Sequence, residues 1–187
     1  MILPDSTLAI IHAYVRQAVK NGDTVIDATM GNGHDTVFLA KLVGETGRVY
    51  AFDIQKEAVG NTAALLEKEG LSRQVTLICD GHEALEQYVC TPIKAVMFNL
   101  GYLPGGNHKI ATRFETTAAA LEASMRLLEP DGLISLGIYY GGDSGFEEKE
   151  RLAQYLKEID FQRFTVLVHD YVNRPNCPPI AAIIGRK

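Results

Sequence analysis

Five short runs in this chain are apolar on both of their faces, and a helix-forming stretch follows each of them. The runs are TVIDAT (24–29), RVYAFDI (48–54), QVTLICD (74–80), KAVMFNL (94–100) and GLISLGIYY (132–140). A strand with one face in water alternates polar and apolar residues, whereas a strand apolar on both faces belongs in a parallel sheet covered by helices. The intervening stretches are DTVFLAKLV (35–43), KEAVGNTAALLEKEG (56–70), HEALEQYV (82–89), ATRFETTAAALEASMRLLEP (111–130) and SGFEEKERLAQYLKEI (144–159). Ser144 and Glu147 fit a capping box for the last of these. Two β-rich runs, FQRFTVLVHDYV and PIAAIIGRK, end the chain with no helix between them, which predicts a hairpin. The sequence therefore predicts an α/β fold: a doubly wound, Rossmann-like sheet, mostly parallel with a C-terminal antiparallel hairpin, and helices on both faces. Leu8, Ile11, Val15, Ala18 and Val19 add an N-terminal helix at about 4–20, with Pro4, Asp5 and Ser6 suiting its start. At 187 residues the chain is long enough for one such domain, 1–187, and short for two.

Composition narrows the setting. No uncharged apolar run reaches the roughly 18–20 residues that a membrane helix needs, so no membrane partner is expected. The N-terminus has no basic residues ahead of its apolar part, unlike a signal peptide. Three cysteines without a CxxC spacing suit a reducing cytoplasm and offer no metal motif. A net charge of −5 argues against coating nucleic acid by bulk electrostatics, but leaves room for a local basic patch.

In a doubly wound sheet, ligands bind at the carboxyl ends of the strands. The first strand runs into DATMGNGHDT (27–36), where Gly31 and Gly33 allow a tight turn and close backbone approach. The helix starting near Asp35 offers free N–H groups to an anionic partner. Thr36 stands where a dinucleotide fingerprint needs its third glycine, so a diphosphate is not the best ligand. The second strand ends at Asp53, about 20 residues on, where a carboxylate can accept both ribose hydroxyls; Gln55 follows. The third ends in Cys79-Asp80-Gly81-His82, where Asp80 could meet an adenine edge or equally cap the next helix. The fourth ends at Asn99, whose amide offers one acceptor and two donors. Together these groups describe a nucleoside with a charged amino-acid tail, S-adenosylmethionine more naturally than NAD. Asn99-Leu100-Gly101-Tyr102 is similar to the Asn-Pro-Pro-Tyr element of methyltransferases that act on amino nitrogens, with both prolines replaced.

Over nearly its whole length the chain resembles the YtqB-like family of small class I methyltransferases, once labelled rRNA methylases. The resemblance is carried by DATMGNGHDT, AFDIQ, CDGHE, NLGYLPGGNHK with Thr112, and IYYGGDSGFEEKE. It implies methylation of the aminomethyl group of 5-aminomethyl-2-thiouridine at the tRNA wobble position, with S-adenosylmethionine as cofactor and the anticodon stem-loop as partner. It places the cofactor against Asp27, Gly31, Asn32, Gly33, Asp35, Asp53, Gln55, Asp80 and His82. The substrate side is Leu100, Gly105, Gly106, Lys109, Thr112, Arg113, Tyr140 and Gly141, with Asn99, Tyr102 and His108 nearest the chemistry. Asn107 stands where the family commonly has aspartate.

The expected reaction relies on positioning and desolvation: Asn99 and the Leu100 carbonyl would hold a neutral amine in line, with His108 or Tyr102 as candidate proton acceptors. Tyr102 or Tyr140 would stack on the base, and Lys109, Arg113, Arg163 and Arg174 would meet phosphates. His12 reads as a satisfied, partly buried residue of the first helix, and His169 as structural or interfacial. Rival readings are a methyltransferase for rRNA or a small molecule, an NAD-dependent oxidoreductase, and a non-catalytic nucleoside-binding module. An exposed edge of the terminal hairpin would suit a homodimer.

Overall fold

The computed structural model describes residues 4–101, 111–140 and 145–187. One seven-stranded sheet holds β1 (Thr24–Asp27), β2 (Arg48–Phe52), β3 (Val75–Ile78), β4 (Ile93–Leu100), β5 (Leu128–Ile138), β6 (Phe164–His169) and β7 (Ile180–Arg186). Their spatial order is β3-β2-β1-β4-β5-β7-β6. Neighbours from β3 to β5 pair in parallel, while β7 runs antiparallel to both β5 and β6. This is the predicted sheet, with the closing hairpin folded so that β7 inserts beside β5 and β6 becomes the edge. The order reverses between β1 and β4, and their carboxyl ends open the crevice where such folds bind ligands.

The helices are α1 (Thr7–Ala18), α2 (His34–Val43), α3 (Lys56–Glu69), the short α4 (Leu85–Tyr88), α5 (Phe114–Leu127) and α6 (Gly145–Glu158). Ser6 caps α1 by accepting the Ala9 N–H, and Thr7 donates its hydroxyl to the Pro179 carbonyl, which fastens α1 to the closing hairpin. His169 meets the Tyr14 hydroxyl at 3.1 Å, a second tie between α1 and β6 and a structural role for that histidine.

Two elements differ from the sequence expectation. The helix expected over 111–130 stops at Leu127, and β5 begins at Leu128. Pro130 explains the stop, because the residue before a proline is pushed out of the helical region. The expected 82–89 helix is a 3₁₀ turn, His82–Ala84, followed by the single turn of α4. The proposed Ser144 cap of α6 lies outside the described residues.

The core has two layers, one on each face of the sheet. Val96, Phe98 and Leu100 of β4 face the α5 and α6 side with Leu121, Leu152 and Leu156. Ala95 and Met97 face the α1 and α2 side with Ile11, Val15, Leu39 and Val43. Side chains alternate along a strand, so Asn99 must continue the Ala95–Met97 face and point towards α1 and α2. On β5 the same parity puts Leu133 on the α1 side and Ile134, Leu136 and Ile138 on the other. Phe98 is fully buried in the larger layer. Phe98→Ala should lower stability by about 3–5 kcal/mol, whereas exposed Val172→Ala should change it by less than about 0.5 kcal/mol; urea unfolding measures both.

Candidate active site

The glycine loop between β1 and α2 is built by close packing. Gly31 and Gly33 have φ of 50° and 83°, the left-handed region that favours glycine. A Cβ at Gly33 would also lie 2.8 Å from the Thr62 hydroxyl of α3. That hydroxyl donates to the Gly31 carbonyl at 3.1 Å, so α3 shapes the loop from behind. The Asn61 amide donates to the Asn32 side-chain oxygen at 3.1 Å.

Thr36, at the place of the missing third glycine, is fully buried and donates its hydroxyl to Asp27 Oδ2 at 2.6 Å. The Thr29 N–H donates to Asp27 Oδ1 at 3.2 Å. A glycine at 36 could not hold this carboxyl. Burial pushes the Asp27 pKa up to about 7; neighbouring Asp35 adds to the rise, and the Thr36 and Thr29 hydrogen bonds offset part of it.

Asp53 bridges two elements rather than capping α3 in the usual way. Its Oδ2 accepts the Gly31 N–H at 3.1 Å and its Oδ1 accepts the Gln55 N–H at 2.9 Å. Each carboxylate oxygen keeps lone-pair capacity for a hydroxyl. Between Asp53 and Gln55, Ile54 is 59% exposed, an apolar side chain standing open at the strand end. Asp80 accepts the Gly81 N–H at 2.8 Å and the Tyr88 hydroxyl at 2.8 Å, and these bonds, the hydroxyl first, hold its pKa below the usual carboxylate value. His82 differs from its neighbours: its ring is buried, with Nδ1 at 3.1 Å from the Ala28 carbonyl and the ring edge-on to Phe98. Burial lowers its pKa, so the neutral ring donates from Nδ1 and ties the third strand end to the first.

At the end of β4, the Asn99 N–H donates to the Thr29 hydroxyl at 2.7 Å. Its side-chain Nδ2 donates to Asp35 Oδ2 at 2.5 Å. The other Asp35 oxygen receives His12 Nε2 of α1 at 2.7 Å. Asn99 Oδ1 is buried and has no hydrogen-bond partner among the described residues. The Leu100 carbonyl, expected to face an amine, accepts the Tyr139 N–H at 3.3 Å, and the Leu100 side chain is buried.

Tyr140, expected on the substrate side, is 6% exposed; its ring packs edge-on against Phe146 and lies under Lys149 Nζ at 3.7 Å. Tyr139 is the exposed ring here, at 46%. It stands beside the Asn99–Gly137 pair and lines a cavity of about 170 Å³ with Ser6, Tyr171 and Arg174. The alternation within GIYY could have made this choice, since Tyr139 shares the parity of Gly137 and Asn99 shares its face. Thr112 clamps the stem of the loop after β4: its Oγ1 accepts the Gly101 N–H and its N–H donates to the Gly101 carbonyl, each at 3.0 Å. Arg113 is exposed at the start of α5, and Arg174 stacks on Tyr171 at 3.7 Å. Arg163 precedes β6 and so lies at the opposite end of the sheet from Arg174. Tyr102, Gly105, Gly106, Asn107, His108, Lys109 and Gly141 lie outside the described residues.

A family model described as "Putative rRNA methylase" matches residues 49–185. The chain belongs to that family. A "putative rRNA-methylase" of known structure from Clostridium thermocellum is 52% identical over the full length of both chains, with a TM-score of 0.98. A "putative methyltransferase" from Streptococcus mutans, solved in complex with SAH, is 38% identical over both full chains with a TM-score of 0.91. The chain is also 38% identical, over 95% of its own length and 69% of the relative's, to an Arabidopsis thaliana protein named tRNA (mnm(5)s(2)U34)-methyltransferase, chloroplastic. This member of the family is an S-adenosylmethionine-dependent methyltransferase, which excludes the oxidoreductase reading and that of a binding module without catalysis. No helix among the described residues is long and apolar enough to cross a membrane.

The residues present fit that cofactor. It carries a positive sulfonium and ammonium beside two ribose hydroxyls, and the strand ends supply Asp53 and Asp80 beside a glycine loop, whereas Asp27, expected against the cofactor, is fully buried and held by Thr29 and Thr36. The buried Asp27 carboxyl also makes a prediction for the free protein. With a folded pKa of about 7 against 3.8, Asp27 stays protonated while the unfolded chain ionises, so its contribution to stability is full below pH 3.8 and is lost as pH rises through 7. Asp27→Asn, which keeps a neutral group between Thr29 and Thr36, should remove a slope of up to about 1.4 kcal/mol per pH unit in that window. Urea unfolding at several pH values, compared with the unsubstituted protein, reads it.

Proposed function

We propose that the chain methylates the aminomethyl nitrogen of 5-aminomethyl-2-thiouridine at the tRNA wobble position, giving 5-methylaminomethyl-2-thiouridine. The observation that carries this reading is the Asn99 side-chain oxygen, a buried acceptor without a partner among the described residues at the carboxyl end of β4. An unmatched acceptor beside Gly137 and the Tyr139 ring suits a substrate that brings N–H groups, as an amine does. The choice of base is supported by the 38% identity to the Arabidopsis protein named for mnm5s2U34.

S-adenosylmethionine supplies a methyl group already activated for transfer. Gly31, Asn32 and Gly33 would meet its amino-acid end, Asp53 its ribose, and Gln55, Ile54 and Asp80 the region of its base. The substrate's ammonium must lose a proton before its nitrogen can attack, and a partly apolar pocket lowers an amine's pKa by disfavouring the charged form. Asn99 Oδ1 would accept one N–H and leave the lone pair directed at the methyl carbon. The N–C bond then forms as the S–C bond breaks, and the remaining extra proton passes to solvent or to an acceptor in the loop after β4. Water exclusion and alignment are the main contributions asked of the protein.

Tyr139 is the ring best placed to stack on an extruded base, and Arg113 and Arg174 the cations best placed for phosphates. The same end of the sheet holds all three.

The test supplies purified protein and labelled S-adenosylmethionine to tRNA from cells lacking the terminal methylation, with digested nucleosides read by mass spectrometry. One added methyl on the aminomethyl-thiouridine is the expected result. Asn99→Ala should reduce transfer by at least about 10²-fold while SAH binding persists, and Asp53→Ala should weaken SAH binding instead. Cofactor binding without any methylated tRNA nucleoside would overturn the tRNA assignment and favour rRNA or a small molecule.

A further inference from the structure

An asparagine carboxamide is ambiguous: rotated by 180° it presents NH2 where it presented oxygen, in nearly the same volume. An amine substrate needs the oxygen. At Asn99 the ambiguity is removed by Asp35, whose carboxylate only accepts hydrogen bonds and therefore draws the NH2 group to itself at 2.5 Å. The oxygen is left on the far side, over Gly137 of the neighbouring strand. A Cβ at Gly137 would come within 2.6 Å of that oxygen, so the glycine is the space in which it sits.

Asp35 is itself held. His12 donates to its second oxygen at 2.7 Å, and the His12 ring stacks on Phe38 with centroids 3.8 Å apart and planes 10° apart. Only 12% of the Asp35 side chain and 18% of the His12 side chain are exposed. Thus α1, α2 and β4 meet through three side chains in a row. The resemblance places Asp35 against the cofactor, whereas its hydrogen bonds run to Asn99 and to α1.

We infer that Asp35, braced by His12 of the N-terminal helix, is a positioning residue that orients the Asn99 carboxamide so that its oxygen meets the substrate amine. The inference rests on the proposed role of Asn99 and adds α1 to the catalytic apparatus.

Three single variants and one double variant test it in the tRNA assay, with SAH affinity measured by calorimetry on each. Asp35→Ala should lower kcat by about 10²-fold, the usual cost of a misplaced group, with SAH affinity close to that of the unsubstituted protein. Asp35→Asn should recover only part of the rate, because its own carboxamide can turn either its oxygen or its NH2 towards Asn99. His12→Ala should give a smaller loss in kcat. Adding Asp35→Ala to Asn99→Ala should cost nothing further, since the first acts through the second.

If Asp35→Ala leaves kcat unchanged, or if the losses from Asp35→Ala and Asn99→Ala simply add in the double variant, the inference is overturned. It is also overturned if Asp35→Ala mainly weakens SAH binding. A readout without substrate separates this from the functional reading: the Asn99 side-chain NH2 signals in NMR should be protected from solvent exchange, and Asp35→Ala should remove that protection. Unprotected signals in the unsubstituted protein overturn the orientation argument even if tRNA is methylated. Protected signals in a protein that methylates no tRNA leave the orientation intact and overturn only the substrate.

Discussion

A strand buried on both faces can keep a polar side chain only by giving it a partner, and this constraint organises the whole crevice. β1 and β4 are central strands covered by helices on each side, yet β1 ends on Asp27 and β4 carries Asn99 as its penultimate residue. Each polar end group is met by a side chain from the α2 region: Thr36 for Asp27 and Asp35 for Asn99. Thr29 joins the two, donating its N–H to Asp27 and accepting the Asn99 N–H on its hydroxyl. Placing an acidic carboxyl and an amide here without these partners would cost several kcal/mol of desolvation.

Among the described residues, two buried polar atoms around the crevice lack a hydrogen-bond partner: His82 Nε2, whose ring packs edge-on against Phe98, and Asn99 Oδ1. Leaving a buried acceptor unmatched costs about 1–3 kcal/mol, so each such atom calls for an explanation, and a substrate N–H would supply one for Asn99 Oδ1. The neighbouring elements accommodate it: Gly137 leaves room, and Asp35 fixes the amide from the opposite side. The N-terminal helix, which precedes the sheet in sequence and lies outside its βα alternation, reaches the same point through His12.

Much of the fold was legible because periodicity reports burial directly. Runs apolar on both faces belong in a helix-covered parallel sheet, and all five entered it, although QVTLICD became the half-exposed edge strand β3; two β-rich runs without a helix between them form a hairpin. The errors arose where local chemistry overrode pattern, as at Pro130, which ended α5 early. The site was legible in kind but less so in detail. Asp53, Asp80 and Asn99 do lie at neighbouring strand ends, but His82 turns into the core, Tyr140 packs beneath Lys149, and Arg163 lies at the other end of the sheet. Tyr139 and Ile54 were missed, although strand parity marked the first and its place between two polar residues the second.

Patterning along the chain was enough to specify the alternation of strands and helices, the closing hairpin, the glycine turn and the polar residue at each strand end. These are local properties, set by a period of two or 3.6 residues and by backbone conformations that few residues adopt. Which polar group faces which partner was decided only by the fold. His12, Asp35 and Asn99 are separated by 23 and 64 residues, and no local rule relates such distant positions. The packing of α1 and α2 against one face of β4 brings them within hydrogen-bond distance, and that contact selects one orientation of an amide whose two orientations the sequence leaves equivalent.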